Sequence, residues 1–174
     1  MTEHTIAVSG GFDPLHAGHI AMIRAAAKFG KVWVILNSDA WLIRKKGYRL
    51  MPFDARRDVL LALKDVEGVI SVDDDDGTVC AAFNTWRPTF FANGGDRQKD
   101  NTPELDVCAA KGIHPLFGIG GDSKMWASSH LVHDAALIML SNWAIRSIKG
   151  PVDIAGLSFD EALWAISDPA RRNK

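Results

Sequence analysis

The sequence predicts an α/β fold: an open, parallel five-stranded sheet with helices on both faces, plus a short C-terminal helical extension. Short apolar runs rich in β-branched residues alternate with longer segments of helical periodicity, which is typical of parallel strands joined by crossover helices. The length of 174 residues, with 47% hydrophobic side chains, suits one domain with a buried core. We expect the domain over residues 1–150 and the extension over residues 151–174.

The first strand and the first helix are separated by a decapeptide rich in glycine and histidine. Residues 5–9 are short, β-branched and apolar, as in a buried strand. Residues 20–28 are good helix formers with an apolar stripe. Between them, residues 10–19 read Gly-Gly-Phe-Asp-Pro-Leu-His-Ala-Gly-His. The decapeptide is therefore predicted to join the carboxyl end of a strand to the beginning of a helix.

The other elements continue the alternation. Further strands are predicted over residues 32–36, 69–72, 89–92 and 113–117. Further helices are predicted over residues 53–64, 78–86, 103–111 and 129–148. Residues 37–49 are predicted to form a polar loop, and Asp54 is the expected cap of the helix that follows. Pro103 is predicted to begin one helix and Gly112 to end it, because proline is favoured in the first turn of a helix and glycine directly after the last.

The extension carries a helix signature of its own. Ser158 and Glu161 form the pattern of a capping box, which predicts a short helix over residues 159–166. Its apolar residues would pack on the domain or on a second subunit of a homodimer. Nothing catalytic is predicted there.

Polar or glycine-rich segments follow four of the predicted strands. They are residues 10–12, 37–39, 93–96 and 118–121. In open Rossmann-like sheets, ligands bind beyond the carboxyl ends of the strands. The sequence therefore predicts one binding site at this edge of the sheet.

The decapeptide has the residue types of an anion site. The free N–H groups at a helix N-terminus attract an anion, and Gly10 and Gly11 let it approach the backbone. His16 and His19, three residues apart, fall on one face of the first turn and add two hydrogen-bond donors. Zinc binding by these histidines is disfavoured, because no other Cys or His lies at a matching spacing. The pattern indicates phosphoryl transfer, with no metal bound by the protein itself.

Composition excludes several classes. A net charge of −1 gives no basic footprint for nucleic acid. The apolar segment over residues 135–145 is too short to span a bilayer, so no membrane association is predicted. Residues 1–4 lead directly into the first strand and leave no room for a signal peptide. Cys80 and Cys108 are expected to be reduced thiols. Both observations predict a cytoplasmic location. The acidic residues 73–76 are predicted to form a solvated face rather than a Mg²⁺ site.

The decapeptide resembles the His-x-Gly-His signature of the cytidylyltransferase-like nucleotidyltransferase superfamily. Five later segments are similar to family blocks, in the family's order: residues 36–39, 44–47, 52–60, 93–97 and 127–129. The chain looks closest to glycerol-3-phosphate cytidylyltransferases and to the adenylyltransferase half of ADP-heptose synthases. This resemblance implies transfer of AMP or CMP from ATP or CTP to a phosphorylated small molecule, a sugar phosphate or a polyol phosphate, with release of pyrophosphate.

The resemblance also implies roles for individual residues. His16 and His19 would hydrogen-bond the α-phosphate and the bridging oxygen, and Lys46 would lie over the phosphates, with Arg44 and Lys45 as adjacent alternatives. The remaining nucleotide-binding candidates are Gly10, Gly11, Phe12, Asp13, Gly94, Asp96, Ser128 and Ser129. Substrate-binding candidates are Asp39 and Arg56, with Arg57 as the alternative to Arg56. Mg²⁺ is expected to be held mainly by the nucleotide phosphates.

Two departures from the family pattern bear on the substrate. Asn93 stands where close relatives have lysine, and the segment after Ser129 lacks an arginine that many members carry. The choice between ATP and CTP stays open, as does the acceptor. Alternative functions are a non-catalytic nucleotide-binding module on the same fold and a fragment of a class I aminoacyl-tRNA synthetase, which shares the histidine signature.

Overall fold

The sheet has the predicted five parallel strands. The structure, a computed structural model, describes residues 4–94, 102–121, 128–147 and 161. The strands are β1 (Thr5–Gly10), β2 (Lys31–Leu36), β3 (Val66–Ser71), β4 (Phe90–Ala92) and β5 (His114–Leu116). They lie in the order β3-β2-β1-β4-β5, and each neighbouring pair is parallel. The first strand is therefore the central one, with later strands added on both sides.

Six helices with defined bounds accompany these strands in the described part of the chain. They are α1 (Ala17–Ala26), α2 (Asp39–Lys46), α3 (Phe53–Leu61), α4 (Ala82–Thr85), α5 (Leu105–Lys111) and α6 (Ser128–Ser147). After each parallel strand the chain has to return along one face of the sheet before the next strand begins. Helices form these connections, as the alternating pattern predicts.

The two faces of the sheet are covered by different helices. Ile6 and Val8 of β1 lie in an apolar cluster with Ile23 of α1 and Leu60 of α3. Ala7, between them in the strand, lies in a second cluster with side chains of α4 and α5. Side chains of successive strand residues point to opposite faces, so β1 contributes to both clusters. The prediction of an α/β sheet with helices on both faces is confirmed.

The predicted polar loop over residues 37–49 is wrong, because most of it forms α2. Ser38 caps this helix by accepting a hydrogen bond from the backbone N–H of Trp41 at 3.0 Å. Leu42 is its one buried residue, and Gly47, at a φ of 79°, ends it in the left-handed conformation. A helix with a single buried side chain shows little apolar periodicity, which explains why the pattern did not predict it.

The predicted helix over residues 78–86 is shorter than expected. Only Ala82–Thr85 is helical, as α4. Asp76 Oδ1 accepts hydrogen bonds from the backbone N–H and from the hydroxyl of Thr78, at 2.8 and 2.9 Å. Such local side-chain bonds favour turns over helices, so the first part of the segment folds as a turn.

The chain divides into two compact units, residues 1–128 and 129–174. The predicted boundary at residue 150 lies outside the described residues. The predicted helix over residues 159–166 also lies outside them, apart from Glu161, which is helical. No helix of the described part is long and apolar enough to cross a membrane.

Candidate functional site

The loop after β1 brings the beginning of α1 close to α2. A Cβ atom at Gly11 would lie 2.6 Å from Cδ2 of Leu42, so a larger residue here would require the Leu42 side chain to shift. The carbonyl of Gly10 accepts a hydrogen bond from the backbone N–H of Asn37, directly after β2, at 3.1 Å. The predicted glycines thus hold the ends of two neighbouring strands together.

Phe12 has a left-handed backbone, with a φ of 49°. Its side chain is buried, and its ring centroid lies 4.7 Å from that of His19. A non-glycine residue is strained in this region and persists there only when its surroundings hold it. The structure therefore places this predicted nucleotide-binding residue as a support behind His19.

His16 and His19 form a stacked pair at the beginning of α1. Their ring centroids are 3.7 Å apart with an interplanar angle of 22°. The backbone N–H of His16 donates to Nδ1 of His19 at 3.3 Å, which fixes the orientation of the second ring. Nδ1 of His16 is buried and has no hydrogen-bond partner among the described residues. The structure thus brings the two predicted catalytic histidines together.

Both imidazoles are held in the neutral form. Burial lowers the pKa of His19 to about 3, with further contributions from the charge that His16 carries when protonated and from the charge of Lys46. Burial and the charge of Lys46 also lower the pKa of His16. Each histidine therefore offers a neutral N–H donor near neutral pH, without adding a charge of its own.

Of the basic trio Arg44, Lys45 and Lys46, Lys46 is the residue whose side chain reaches the decapeptide. Its Nζ donates to the carbonyl oxygen of Asp13 at 3.1 Å. Burial lowers the pKa of Lys46, partly opposed by the charge of Asp13. Arg44 instead binds the carbonyl oxygen of Asp74 at 2.8 Å, and Lys45 lies over the ring of Trp41. The predicted catalytic lysine is thus the one placed near the histidine pair.

Asp13 ties the decapeptide to the segment after α2. Its carboxylate is buried and accepts the backbone N–H groups of Leu50 at 2.7 Å and Met51 at 2.9 Å. Both oxygens are thereby engaged in holding the backbone. Asp13 supports the site from within the fold.

Arg56 and Asp39, the predicted substrate-binding pair, bind each other. Nη2 of Arg56 donates to Oδ1 of Asp39 at 2.7 Å, and Arg49 holds the other carboxylate oxygen at 2.7 Å. Burial acts to raise the pKa of Asp39, but the hydrogen bonds from both arginines hold it below its usual value. Of the two adjacent arginines, Arg56 faces inward, while Arg57 pairs with exposed acids of its own helix.

The guanidinium of Arg56 also joins three loops. It is 1% exposed and donates to the carbonyl oxygens of Gly11 at 2.7 Å, Asn37 at 3.0 Å and Met51 at 3.1 Å. With the bond to Asp39, four of its five N–H donors have partners inside the protein. The structure therefore places Arg56 below the site, where it fixes the loops that form it.

The acidic run 73–76 departs from its prediction at one residue. Asp74 is 2% exposed, whereas the other three aspartates are exposed as predicted. Its carboxylate accepts the side-chain amide of Asn37 at 3.1 Å, and the backbone N–H and hydroxyl of Ser38 at 2.8 and 2.7 Å. The prediction of a solvated face is wrong for Asp74, because the donors of Asn37 and Ser38 and the guanidinium of Arg44, 3.5 Å from Oδ1, compensate its buried charge.

The loops after β4 and β5 close the other side of the site. The backbone N–H of Asn93 donates to Leu116 at 2.7 Å, and that of Ile119 donates to Asn93 at 3.2 Å. A Cβ atom at Gly94 would lie 2.9 Å from the carbonyl oxygen of Ile119 and 3.0 Å from Sδ of Met22 in α1. Predicted Gly94 thus allows both loops to pack on α1, while Asp96 lies outside the described residues.

The two predicted serines differ in placement. Ser128 is buried, and its hydroxyl donates to the carbonyl oxygen of Pro14 at 3.0 Å. This bond links Ser128 to the decapeptide within the first compact unit. Ser129 is exposed and is the first residue of the second compact unit.

Sequence reasoning did not select Tyr48, the single tyrosine of the chain. Its hydroxyl is buried without a hydrogen-bond partner in the described part of the protein. It follows Lys46 by two residues, and that proximity to a predicted phosphate-binding lysine is the one signal the sequence offers.

Comparison with known proteins identifies sequence relatives of this site. A family model described as cytidylyltransferase-like matches residues 7–118. The chain is 40% identical over 108 residues to the bifunctional protein HldE of Hyphomonas neptunium, a match covering 60% of this chain and 22% of that protein. It is 33% identical over 113 residues to the bifunctional protein HldE of Geobacter sulfurreducens, covering 63% and 23%. The chain thus matches less than a quarter of the length of these relatives.

Solved structures share the fold. A lipopolysaccharide core biosynthesis protein from Thermoplasma volcanium is similar with a TM-score of 0.53 and 22% identity, covering 67% of this chain and 94% of that one. A protein of unknown function from Archaeoglobus fulgidus is similar with a TM-score of 0.53 and 15% identity, covering 71% and 96%. At these identities the similarity shows the α/β architecture alone.

Proposed function

Because the chain belongs to the cytidylyltransferase-like family, we propose that it transfers a nucleotidyl group from ATP or CTP to a phosphorylated small molecule, releasing pyrophosphate. The observation that carries this proposal is the stacked pair of neutral histidines at the N-terminus of α1, with Lys46 directed to the same loop. A helix N-terminus with added donors and one cation suits a polyphosphate.

The chemistry requires alignment rather than a strong base. A phosphate oxygen of the acceptor attacks the α-phosphorus, a new P–O bond forms, and the bond to the bridging oxygen breaks as pyrophosphate leaves. Since the attacking oxygen is already anionic, no proton has to be removed first. His16 and His19 would donate hydrogen bonds to oxygens whose charge grows in the transition state, and Lys46 would neutralise that charge.

For Mg²⁺ we propose a role as a companion of the substrate. The described residues contain no group of three or more His, Cys, Asp or Glu arranged to hold a metal ion. The buried carboxylate of Asp13 is already engaged by two backbone N–H groups. We propose that Mg²⁺ is held by the nucleotide phosphates and water, where it neutralises charge on them.

Among the acceptors, a sugar phosphate is favoured. The identity with bifunctional HldE proteins agrees with the resemblance of the decapeptide to the adenylyltransferase half of ADP-heptose synthases, and both favour ATP as the donor. Asn93, buried at the end of β4 where close relatives have lysine, supports an acceptor different from theirs.

The test is pyrophosphate release, measured with ATP and with CTP against a panel of sugar phosphates and polyol phosphates. We expect one nucleotide and acceptor pair to give turnover, and H16A to abolish it while the far-UV spectrum stays unchanged. H114Q serves as the control, because His114 is exposed at the beginning of β5, away from the carboxyl ends of the strands where the site lies. Nucleotide binding without turnover for any acceptor would instead support the non-catalytic module.

A further inference from the structure

The hydroxyl of Tyr48 is a buried polar group that the proposed mechanism does not use. Among the described residues, it and Nδ1 of His16 are the buried side-chain polar atoms without a hydrogen-bond partner. A buried unpaired hydroxyl is unfavourable, so its presence calls for an explanation such as a catalytic role or a bound ion. His16, the other such residue, lies in the proposed phosphate site, and Tyr48 follows Lys46 of that site by two residues.

The chain around Tyr48 is fixed against the decapeptide on both sides. Lys46, two residues before it, donates to the carbonyl oxygen of Asp13 at 3.1 Å. Leu50, two residues after it, donates its backbone N–H to the Asp13 carboxylate at 2.7 Å. These bonds hold Tyr48 between two anchors on the loop that leads to His16.

The phenol is suited to donate rather than to carry charge. Burial, followed by the negative charge of Asp13, raises the pKa of Tyr48, so the group stays protonated at neutral pH. A phenol supplies one directed O–H donor, whereas the ammonium of Lys46 supplies charge with little directional preference. The two residues therefore offer complementary contacts to a phosphate.

We propose that the Tyr48 hydroxyl binds substrate by donating a hydrogen bond to a phosphate oxygen held near Lys46 and His16. The inference deepens the proposed function and rests on it, because it assumes that this loop holds a phosphate. The oxygen belongs either to the nucleoside triphosphate or to the acceptor phosphomonoester, and the experiment separates these two sources.

The first experiment removes only the oxygen, with the variant Y48F. We expect ligand-free Y48F to melt at the wild-type temperature or above it, because an unpaired buried hydroxyl is replaced by an apolar edge. We expect KM to rise ~10-fold or more for one substrate, as for a hydrogen bond to a charged group. The substrate whose KM rises identifies the source of the phosphate.

The matched control is T85V in α4, whose hydroxyl does have a partner, the carbonyl oxygen of Ala82 at 3.2 Å. We expect T85V to melt at a lower temperature than the wild type and to keep both KM values. Y48F is expected to melt no lower than the wild type and to raise one KM, and this difference from T85V would assign the Tyr48 hydroxyl to binding rather than to a structural role.

The second experiment needs no turnover. Since Tyr48 is the single tyrosine, protein with ¹³C-labelled tyrosine gives one ring Cζ resonance, which is sensitive to hydrogen bonding at the hydroxyl. We expect inorganic phosphate, ATP or CTP to shift it, and phosphate to raise the melting temperature of Y48F less than that of the wild type. This result without nucleotidyl transfer would reject the proposed function alone.

The inference itself is overturned if Y48F binds nucleotide, acceptor and phosphate as tightly as the wild type, whether or not transfer occurs. It is also overturned if ligand-free Y48F is less stable than the wild type, because the hydroxyl would then have a structural partner.

Discussion

Phe12 shows what a single residue contributes to this site. A left-handed backbone costs a non-glycine residue about 1–3 kcal/mol. In return, the buried ring of Phe12 packs against His19. Gly10 and Gly11 are predicted to let an anion approach the backbone, and neither has a positive φ. Gly11 instead gives room to the side chain of Leu42, which a Cβ atom would displace. A turn of two glycines predicts a close approach, but which residue carries the strain depends on packing.

The low pKa of His19 makes the stability of the ligand-free protein dependent on pH. With a folded pKa of about 3, below the ordinary value of 6.5, the unfolded chain binds a proton that the folded chain does not between these values. Stability therefore falls as the pH falls below 6.5. At pH 5 we expect a loss of about 1–2 kcal/mol from this group.

Urea unfolding at pH 7 and pH 5 checks this prediction, with H19Q as the comparison. The glutamine oxygen keeps an acceptor for the backbone N–H of His16 but does not titrate. We expect H19Q to lose less stability than the wild type between these pH values. An equal loss in both proteins would assign the pH dependence to other groups.

At the scale of elements, the strands were predictable and α2 was not. Buried parallel strands consist of continuous apolar, β-branched runs, so β1 and β2 agree with prediction within one residue. The segments after β1, β2 and β4 meet at one edge of the sheet, which the parallel order of the strands alone predicts. In contrast, α2 depends on Ser38 as its cap and on the buried carboxylate of Asp74 behind it, a contact between distant parts of the sequence.

The last turn of α2 allows a direct test of which basic residue acts in transfer. Lys46 reaches the decapeptide, whereas neighbouring Lys45 lies over the ring of Trp41. We expect K46M to lower kcat ~100- to 1000-fold, as removal of a preorganised donor does. The measurement is pyrophosphate release at saturating substrates, with K45M as the control on the same helix. Equal losses in the two variants would mean that the trio acts only through its summed charge.

Asp74 is predicted to stabilise the junction between β2 and α2. D74N keeps the shape of the side chain but replaces one acceptor oxygen by an amide donor facing Asn37 and Ser38. We expect a loss of about 1–3 kcal/mol in the free energy of unfolding, from donors left without an acceptor. Chemical denaturation measures this, and D75N, at an exposed position of the same run, is expected to change little. Similar stability of D74N and the wild type would contradict the role.

For the molecule as a whole, Arg56 is the residue on which several segments depend. Its guanidinium joins the ends of β1 and β2, the segment before α3 and the carboxylate of Asp39. The resemblance to the family predicted an arginine at this position, but a sequence pattern does not distinguish a side chain that contacts substrate from one buried beneath the site. Burial of the guanidinium and its four hydrogen bonds are properties of the assembled fold.

We expect R56Q to lower the free energy of unfolding by about 3–5 kcal/mol, because it leaves Asp39 and three carbonyl oxygens without their buried cation. Thermal and chemical unfolding measure the loss. R57Q is the adjacent control, since Arg57 pairs only with exposed acids in the described structure. A stable R56Q with a raised KM for the acceptor would instead support direct substrate binding by Arg56.

The central position of β1 has a consequence for the growing chain on the ribosome. This strand is synthesised before β4, and one of its edges is completed only when β4 pairs Ile6 with Phe90. Until then, a nascent chain carries an apolar strand with an unpaired edge, which is a template for association with other chains. We therefore expect chains truncated before Phe90 to associate more readily than chains that include β4, which light scattering would measure.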